Sequence, residues 1–401
     1  MKILVVCQYY HPEPFRISDI CEELVKNGNE VTVLTGIPNY PEGVIYEGYG
    51  NGDKRYEYIN GVHVIRCYTI PRKKGAFYRL LNYYSYAISS SLKVLFNNVK
   101  AADGSEFDVV FVNQLSPVMM AYAGMLYKWK HNKKLVLYCL DLWPESLAAG
   151  GINKDSLIYK LFDRISGQIY KSCDQILVTS KSFIGYLSQK FAISESRLSY
   201  LPQYAEDLFE NVSGKAEAKK TIDFVFAGNI GTLQSVDTII EAAEILKDNK
   251  HLLFHIVGGG IELARLQNQV KEKDLENVIF YGRRPVEEMP KFYSMADAML
   301  VTLTGDPLLS LTLPGKVQSY MAAGKAIIGA IDGETKTIVE EAQCGFISKS
   351  GDSKALAENI LKFCRLCNED RKQMEINSRN YYKNKFSKNN FIKFLEDKLK
   401  T

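Results

Sequence analysis

From the first residues almost to the last, short apolar runs alternate with amphipathic helical stretches, and this alternation leaves parallel α/β layers as the fold class. Strands are predicted near 2–7, 30–35, 62–68, 108–112, 134–139, 175–179 and 198–201. The scheme then restarts near 222–228, 252–258, 278–282, 298–303 and 326–330. The stretch PQYAEDLFENVSGKAEAKK between the two series is polar and turn-rich, so it reads as a hinge. A chain of 401 residues is long enough for two cores. The expected architecture is two doubly wound, Rossmann-like domains, 1–203 and 204–380, with an amphipathic helix at about 381–401 crossing back to brace the first.

Composition narrows the function classes. A formal charge of +4, with no run of alternating basic and aromatic residues, argues against nucleic acid. MKILVVC is apolar, but the run stops at Gln8 and two prolines follow, so it reads as a first strand rather than a signal peptide. No stretch reaches the roughly 18 to 20 apolar residues that span a bilayer. The expected location is the cytoplasm, free or peripheral on a membrane. Cys364 and Cys367 form the chain's C-x-x-C; spaced with Leu356, Ile360 and Phe363, they read as buried thiols on one helix face rather than a metal site.

Tandem doubly wound domains set the carboxyl ends of two sheets across a cleft, where such sheets bind ligands. The motifs fall on the corresponding loops. In LPGKVQSYMAAGKAIIG, Pro314 suits the start of a helix; Gly315 and Lys316 then offer backbone donors, the positive helix end and an ammonium to one anion, and Gly324 can end the helix. Gly228, Asn229 and Gly231 follow the strand at 222–228 and lead to Gln234. Gly258 and Gly259 follow the next strand, and Arg283 and Arg284 the one after. Together they predict a pocket for a phosphorylated nucleotide. The dinucleotide fingerprint is missing: the first strand is followed by QYYHPEPFR, without glycine. No Walker loop occurs, and no two aspartates flank a single residue. A bound diphosphate therefore needs Lys316, Arg283 or Arg284, and helix amino ends.

QYYHPEPFRISDICEELVKNGNEVTVLTGIPNYPEG, LDLWPES, FAGNIG, GRRP and PGKVQSYMAAGK together resemble the retaining glycosyltransferases of family 4, and within them the bacterial group that transfers L-fucosamine and related acetamido sugars in O-antigen and capsule synthesis. The resemblance runs nearly end to end. It implies the GT-B fold, two Rossmann-like domains facing across a cleft. The second domain then holds a nucleotide-diphosphate sugar, the first holds the acceptor, and neither cofactor nor essential metal is involved. It places Gly228, Asn229, Gly231, Gln234, Gly258, Gly259, Arg283, Arg284, Pro314, Gly315, Lys316 and Ser319 at the donor. The sequence departs from the family at Asn229 and Gln234, where many members have arginine and lysine. Two glutamates common in the family fall on Leu311 and Ser319, and a histidine near the reacting sugar on Leu140.

Lys316 and Arg283 are the expected electrostatic catalysts, stabilising the leaving diphosphate. On the acceptor side the candidates are Glu13, Phe15 and Arg16 in HPEPFR and Asp141 and Glu145 in LDLWPES. Either Glu13 or Asp141 could take the acceptor proton, and Arg16 could hold an acceptor diphosphate. Residues 70–96 join Arg72, Lys73, Lys74 and Arg79 to a helix rich in Phe, Tyr and Leu, a pattern that suits the inner leaflet and a polyprenyl-diphosphate-linked saccharide. The expected reaction is transfer from a UDP-sugar to that acceptor; the alternatives are a sugar-nucleotide 2-epimerase and a non-catalytic nucleotide-sugar-binding protein.

Overall fold

The computed structural model describes residues 1–400 except Asn51, Lys74, Asn97, Asn98, Gly150 and 213–219. Part of the hinge and one lysine of the basic cluster therefore lie outside the described residues. The chain divides into two compact units, Met1–Leu201 with Ile392–Thr401, and Pro202–Phe391.

The first unit contains β1 (Lys2–Val6), β2 (Glu30–Gly36), β3 (Tyr56–Ile59), β4 (Val62–Cys67), β5 (Val109–Gln114), β6 (Lys134–Cys139), β7 (Gln175–Val178) and β8 (Leu198–Tyr200). They form one sheet in the order β3-β4-β2-β1-β5-β6-β7-β8, parallel except where β3 pairs antiparallel with β4. Ile3–Val6 and all of β5 are buried, as expected where helices cover both faces of a parallel sheet. The chain winds outward from β1 in one direction and from β5 in the other, so the β1/β5 junction is the topological switch point. The hairpin β3–β4 was not expected from the alternation. Its signal was nevertheless present, since Asn60-Gly61 takes φ of 48° and 83° and makes the turn for which that dipeptide is suited.

The second unit contains β9 (Ile222–Ala227), β10 (Leu252–Val257), β11 (Val278–Gly282), β12 (Ala298–Thr302), β13 (Ala326–Ala330) and β14 (Gly345–Ser348). Their order is β11-β10-β9-β12-β13-β14, with every pair parallel and the switch point at β9/β12. Its apolar residues form two clusters, one gathering Val225, Met299, Ile327 and Tyr320, the other Phe224, Phe254, Leu300 and Ile328. Alternate residues of the same strands thus face different layers.

The C-terminal crossing comes later than expected. Tyr382 and Phe386 are buried in the second unit's core, and Tyr382 Oη accepts the Ala205 N–H at 3.2 Å and donates to Glu210 at 3.2 Å. The return begins at Ile392, with Asn29 donating to Glu396 at 2.6 Å and Lys134 to the Lys398 carbonyl at 2.6 Å. The cysteine expectation also needs correction. The helix Ser353–Arg365 ends before Cys367, which is exposed and accepts the Asp370 N–H at 3.4 Å to cap the following helix, while Cys364 is half-buried.

Candidate functional site

In the second unit the loops after β9, β10 and β11 are stitched together beyond the strand ends. Gly228 N–H donates to Val257, Ile230 to Gly259, and Gly258 to Gly282, each at 2.9 Å. This explains the glycines differently from ligand approach alone. A Cβ on Gly258, at φ 154°, would lie 1.8 Å from the Gly228 carbonyl oxygen. Gly258→Ala should therefore destabilise the second unit by about 3 kcal/mol or more, combining overpacking with backbone strain. Thermal unfolding checks this, and an unchanged midpoint would contradict the packing argument.

Gly228 differs, because the group facing it is a side chain. A Cβ there would lie 2.7 Å from Lys316 Nζ. Lys316 sits in the first turn of the helix Gly315–Ala322, with Pro314 one residue earlier than expected, at the cap (ψ 131°). One turn on, Tyr320 Oη accepts the Ala227 N–H at 3.1 Å and donates to the Ala227 carbonyl at 3.0 Å, pinning the helix to the end of β9. The pin directs the Lys316 ammonium over the Phe226 ring, 3.8 Å from its centroid. There Nζ is shielded from solvent and has no hydrogen-bond partner among the described residues. Burial lowers its pKa to about 7. A buried cation without a counter-charge is costly, and an arriving anion would remove the cost.

The other donor candidates divide. Gln234 Oε1 accepts from Gly231 N–H at 3.1 Å and from Asn229 Nδ2 at 3.0 Å, so these two amides close their own loop. Ser319 is buried and its hydroxyl donates to the Gly315 carbonyl at 3.4 Å. Arg284 folds back, Nε donating to Tyr281 O at 3.1 Å and the guanidinium lying 4.0 Å from Glu288. Arg283 is exposed, stands beside Gly259 and makes no ion pair among the described residues. Of these candidates, Lys316 and Arg283 are the side chains left without a hydrogen-bonded or ionic partner among the described residues. Phe226 and Tyr320 were missed by sequence reading; an aromatic in a strand and another in a helix carry no local mark of such a contact.

In the first unit the candidates gather on the loops after β1, β2, β5 and β6. Asp141 Oδ2 accepts from Ser116 Oγ at 3.0 Å, and Ser116 Oγ accepts from Trp143 Nε1 at 2.9 Å. Burial raises the Asp141 pKa against the Ser116 hydrogen bond. Glu13 accepts from the N–H groups of Asn39 (2.8 Å), Tyr40 (2.7 Å) and Tyr10 (3.3 Å), tying two loops together. Burial still lifts its pKa to about 7. Glu145 is buried too, but Lys190 at 2.7 Å, Tyr186 and Lys154 at 2.9 Å outweigh burial and hold its pKa down to about 2. Phe15 stacks on Tyr9 with centroids 4.9 Å apart, and Arg16 stands immediately before the helix Ile17–Lys26 without a side-chain capping bond to it. Of the three carboxylates, Glu13 and Glu145 are engaged inside the fold and Asp141 has the fewest hydrogen-bond donors.

Residues 16–203 match the description Glycosyltransferase Family 4, and residues 209–381 match Glycosyl transferases group 1. The chain is similar to the probable glycosyltransferase WbjE of Pseudomonas aeruginosa, 27% identical over 314 residues and covering 75% of this chain and 76% of that protein. It is also similar to the putative colanic acid biosynthesis glycosyl transferase WcaI of Escherichia coli K12, 27% identical over 353 residues, 82% of this chain and 83% of that one. In structure it is similar to HepE of Anabaena in complex with UDP and glucose, with a TM-score of 0.68, 14% identity and full coverage of both chains.

Proposed function

Because the chain joins a family 4 to a group 1 glycosyltransferase domain in the GT-B fold, and so is a glycosyltransferase, we propose a specific transfer for it. An N-acetylated amino or deoxy sugar, of the fucosamine class, passes from a UDP-linked donor to a saccharide on polyprenyl diphosphate, with retention, in O-antigen or capsule synthesis. The observation that carries this reading is the Lys316 ammonium, buried without a partner beside Gly228 at a helix amino end. The solved HepE complex supports UDP, and the name of WcaI supports polysaccharide synthesis.

In this reading Lys316 and Arg283 neutralise the diphosphate as its bond to the sugar breaks, and Asp141 takes the proton of the acceptor hydroxyl. The test is a panel of UDP-sugars incubated with polyprenyl-linked saccharide, with the product's anomeric configuration read by NMR. A retained-anomer product is expected. Epimer formed from donor alone, or UDP binding with no product under any acceptor, would overturn the reading.

The acceptor class implies contact with the inner leaflet. No helix among the described residues is long and apolar enough to cross a membrane. The helix Ala76–Phe96 buries Tyr83, Tyr86 and Val94 on one side and exposes Phe77 (67%), Leu80, Ile88 (55%) and Leu92 on the other. Arg79 and Lys93 are its only charges. An apolar stripe with basic and no acidic neighbours suits the interface of an anionic bilayer. Changing Phe77, Leu80, Ile88 and Leu92 together to serine should reduce sedimentation with phosphatidylglycerol vesicles at least tenfold, while UDP affinity stays unchanged. Undiminished sedimentation would place the contact elsewhere.

A further inference from the structure

The first unit holds a second cation that its own fold does not neutralise. Arg72 follows β4, at the carboxyl edge of the sheet that also carries the loops of the β1/β5 switch point, where a ligand crevice is expected. Its backbone is fixed: the N–H donates to Asn39 Oδ1 at 2.8 Å, and the carbonyl lies so near Gly43, at φ 70°, that a Cβ there would come within 2.3 Å of its oxygen. The guanidinium lies 5.6 Å from the Tyr40 ring centroid and 5.8 Å from that of Tyr83, and the Tyr9 ring packs against Tyr40 with centroids 5.6 Å apart. Among the described residues no carboxylate forms an ion pair with it. Two tyrosines partly offset the arginine's charge through their ring faces. They leave most of the planar fork of N–H donors that matches a phosphate unengaged.

The surroundings indicate which anion. Arg79 stands one turn before Tyr83 on the helix Ala76–Phe96, and Asp141 follows β6 at the same carboxyl edge of the sheet where Arg72 follows β4, so two cations and the candidate proton acceptor lie on one sheet edge. Tyr9, Tyr40 and Phe15 pack at centroid distances of 4.9 to 5.6 Å and supply apolar wall beside it. We propose that Arg72, framed by Tyr9, Tyr40 and Tyr83 with Arg79 nearby, is the site that grips the diphosphate of the acceptor and so sets its hydroxyl within reach of Asp141. This rests on the lipid-linked acceptor of the proposed function. It moves the anion-gripping role from Arg16, which the sequence suggested, to Arg72.

The test titrates farnesyl diphosphate, and in a second arm inorganic pyrophosphate, into the full-length protein at saturating UDP, so that the second unit's anion site is occupied. UDP affinity is measured first and by itself; absence of UDP binding would count against the proposed function without bearing on Arg72. Farnesyl diphosphate should bind the native protein. Arg72→Gln should weaken that binding at least tenfold, and Arg72→Lys, which keeps the charge and the ring contacts but loses the fork, by a similar factor, with UDP affinity unchanged in both. Equal farnesyl diphosphate affinity in the native and Arg72→Lys proteins would overturn the proposal. Equal affinity of the native protein for pyrophosphate and farnesyl diphosphate would also overturn it, in favour of a site for free phosphate.

Discussion

Lys316→Met is expected to lower the transfer rate by roughly 100- to 1000-fold, the loss that follows removal of one preorganised charged donor from a developing anion, and at the same time to make the ligand-free protein more stable. Both effects have one cause. The ammonium sits on the Phe226 ring, shut from water and without a hydrogen-bond partner, and burial brings its pKa from 10.5 to about 7. The unfolded chain therefore binds more protons than the folded one between pH 7 and 10.5, so stability should rise with pH across that window and be flat below it. Methionine fills the same space without a charge, which removes both the penalty at neutral pH and the slope. Binding runs the other way. A diphosphate favours the protonated amine, so UDP affinity should be level below pH 7 and weaken above it by up to tenfold per unit. Calorimetry in buffers of different ionisation enthalpy should register proton uptake. An unchanged rate for Lys316→Met would remove the phosphate role; an unchanged stability slope would show that the lysine is charged and solvated in the free protein.

The helix at 315 was legible because its signal is local: proline, glycine and lysine at a helix start describe an anion site without reference to the rest of the chain. The strand series was legible for the same reason. Where side chains meet across sequence distance, reading failed. Tyr320 and Phe226, which decide where the Lys316 ammonium goes, are ordinary core residues by pattern. Gly258 was assigned to the donor site, and nothing local signals that the closest atom to its missing side chain is the carbonyl of Gly228, thirty positions away in the chain. Asn229 and Gln234, assigned to the donor site where many family members have arginine and lysine, are hydrogen-bonded to each other. The carboxylates show the same limit. HPEPFR and LDLWPES lie on loops at the carboxyl edge of the first sheet, and nothing in either string tells that Glu13 turns toward three backbone amides or that Glu145 meets Lys190 and Lys154.

That difference among the carboxylates gives the second large effect. Asp141→Asn is expected to reduce the rate by about 100- to 10,000-fold, the usual range for a general base, with little change in UDP affinity. The amide can keep the Ser116 contact, so the fold has no cause to fail, but it cannot take a proton. Burial already raises the Asp141 pKa. The native rate should then fall as pH drops through that raised value and reach a plateau above it. Glu13→Gln separates the two candidates that the sequence left open. An amide oxygen can still accept from Asn39 and Tyr40, so the rate should stay within a few-fold of native. The visible change should be in stability. With a folded pKa of about 7 against an ordinary 4.5, ionised Glu13 is disfavoured in the fold, so native stability should decline as pH rises from 4.5 to 7 and level off above. Glutamine abolishes that decline. If instead Glu13→Gln stops transfer while Asp141→Asn leaves it intact, the proton acceptor is Glu13, and its three amide donors would have to release it when the acceptor arrives.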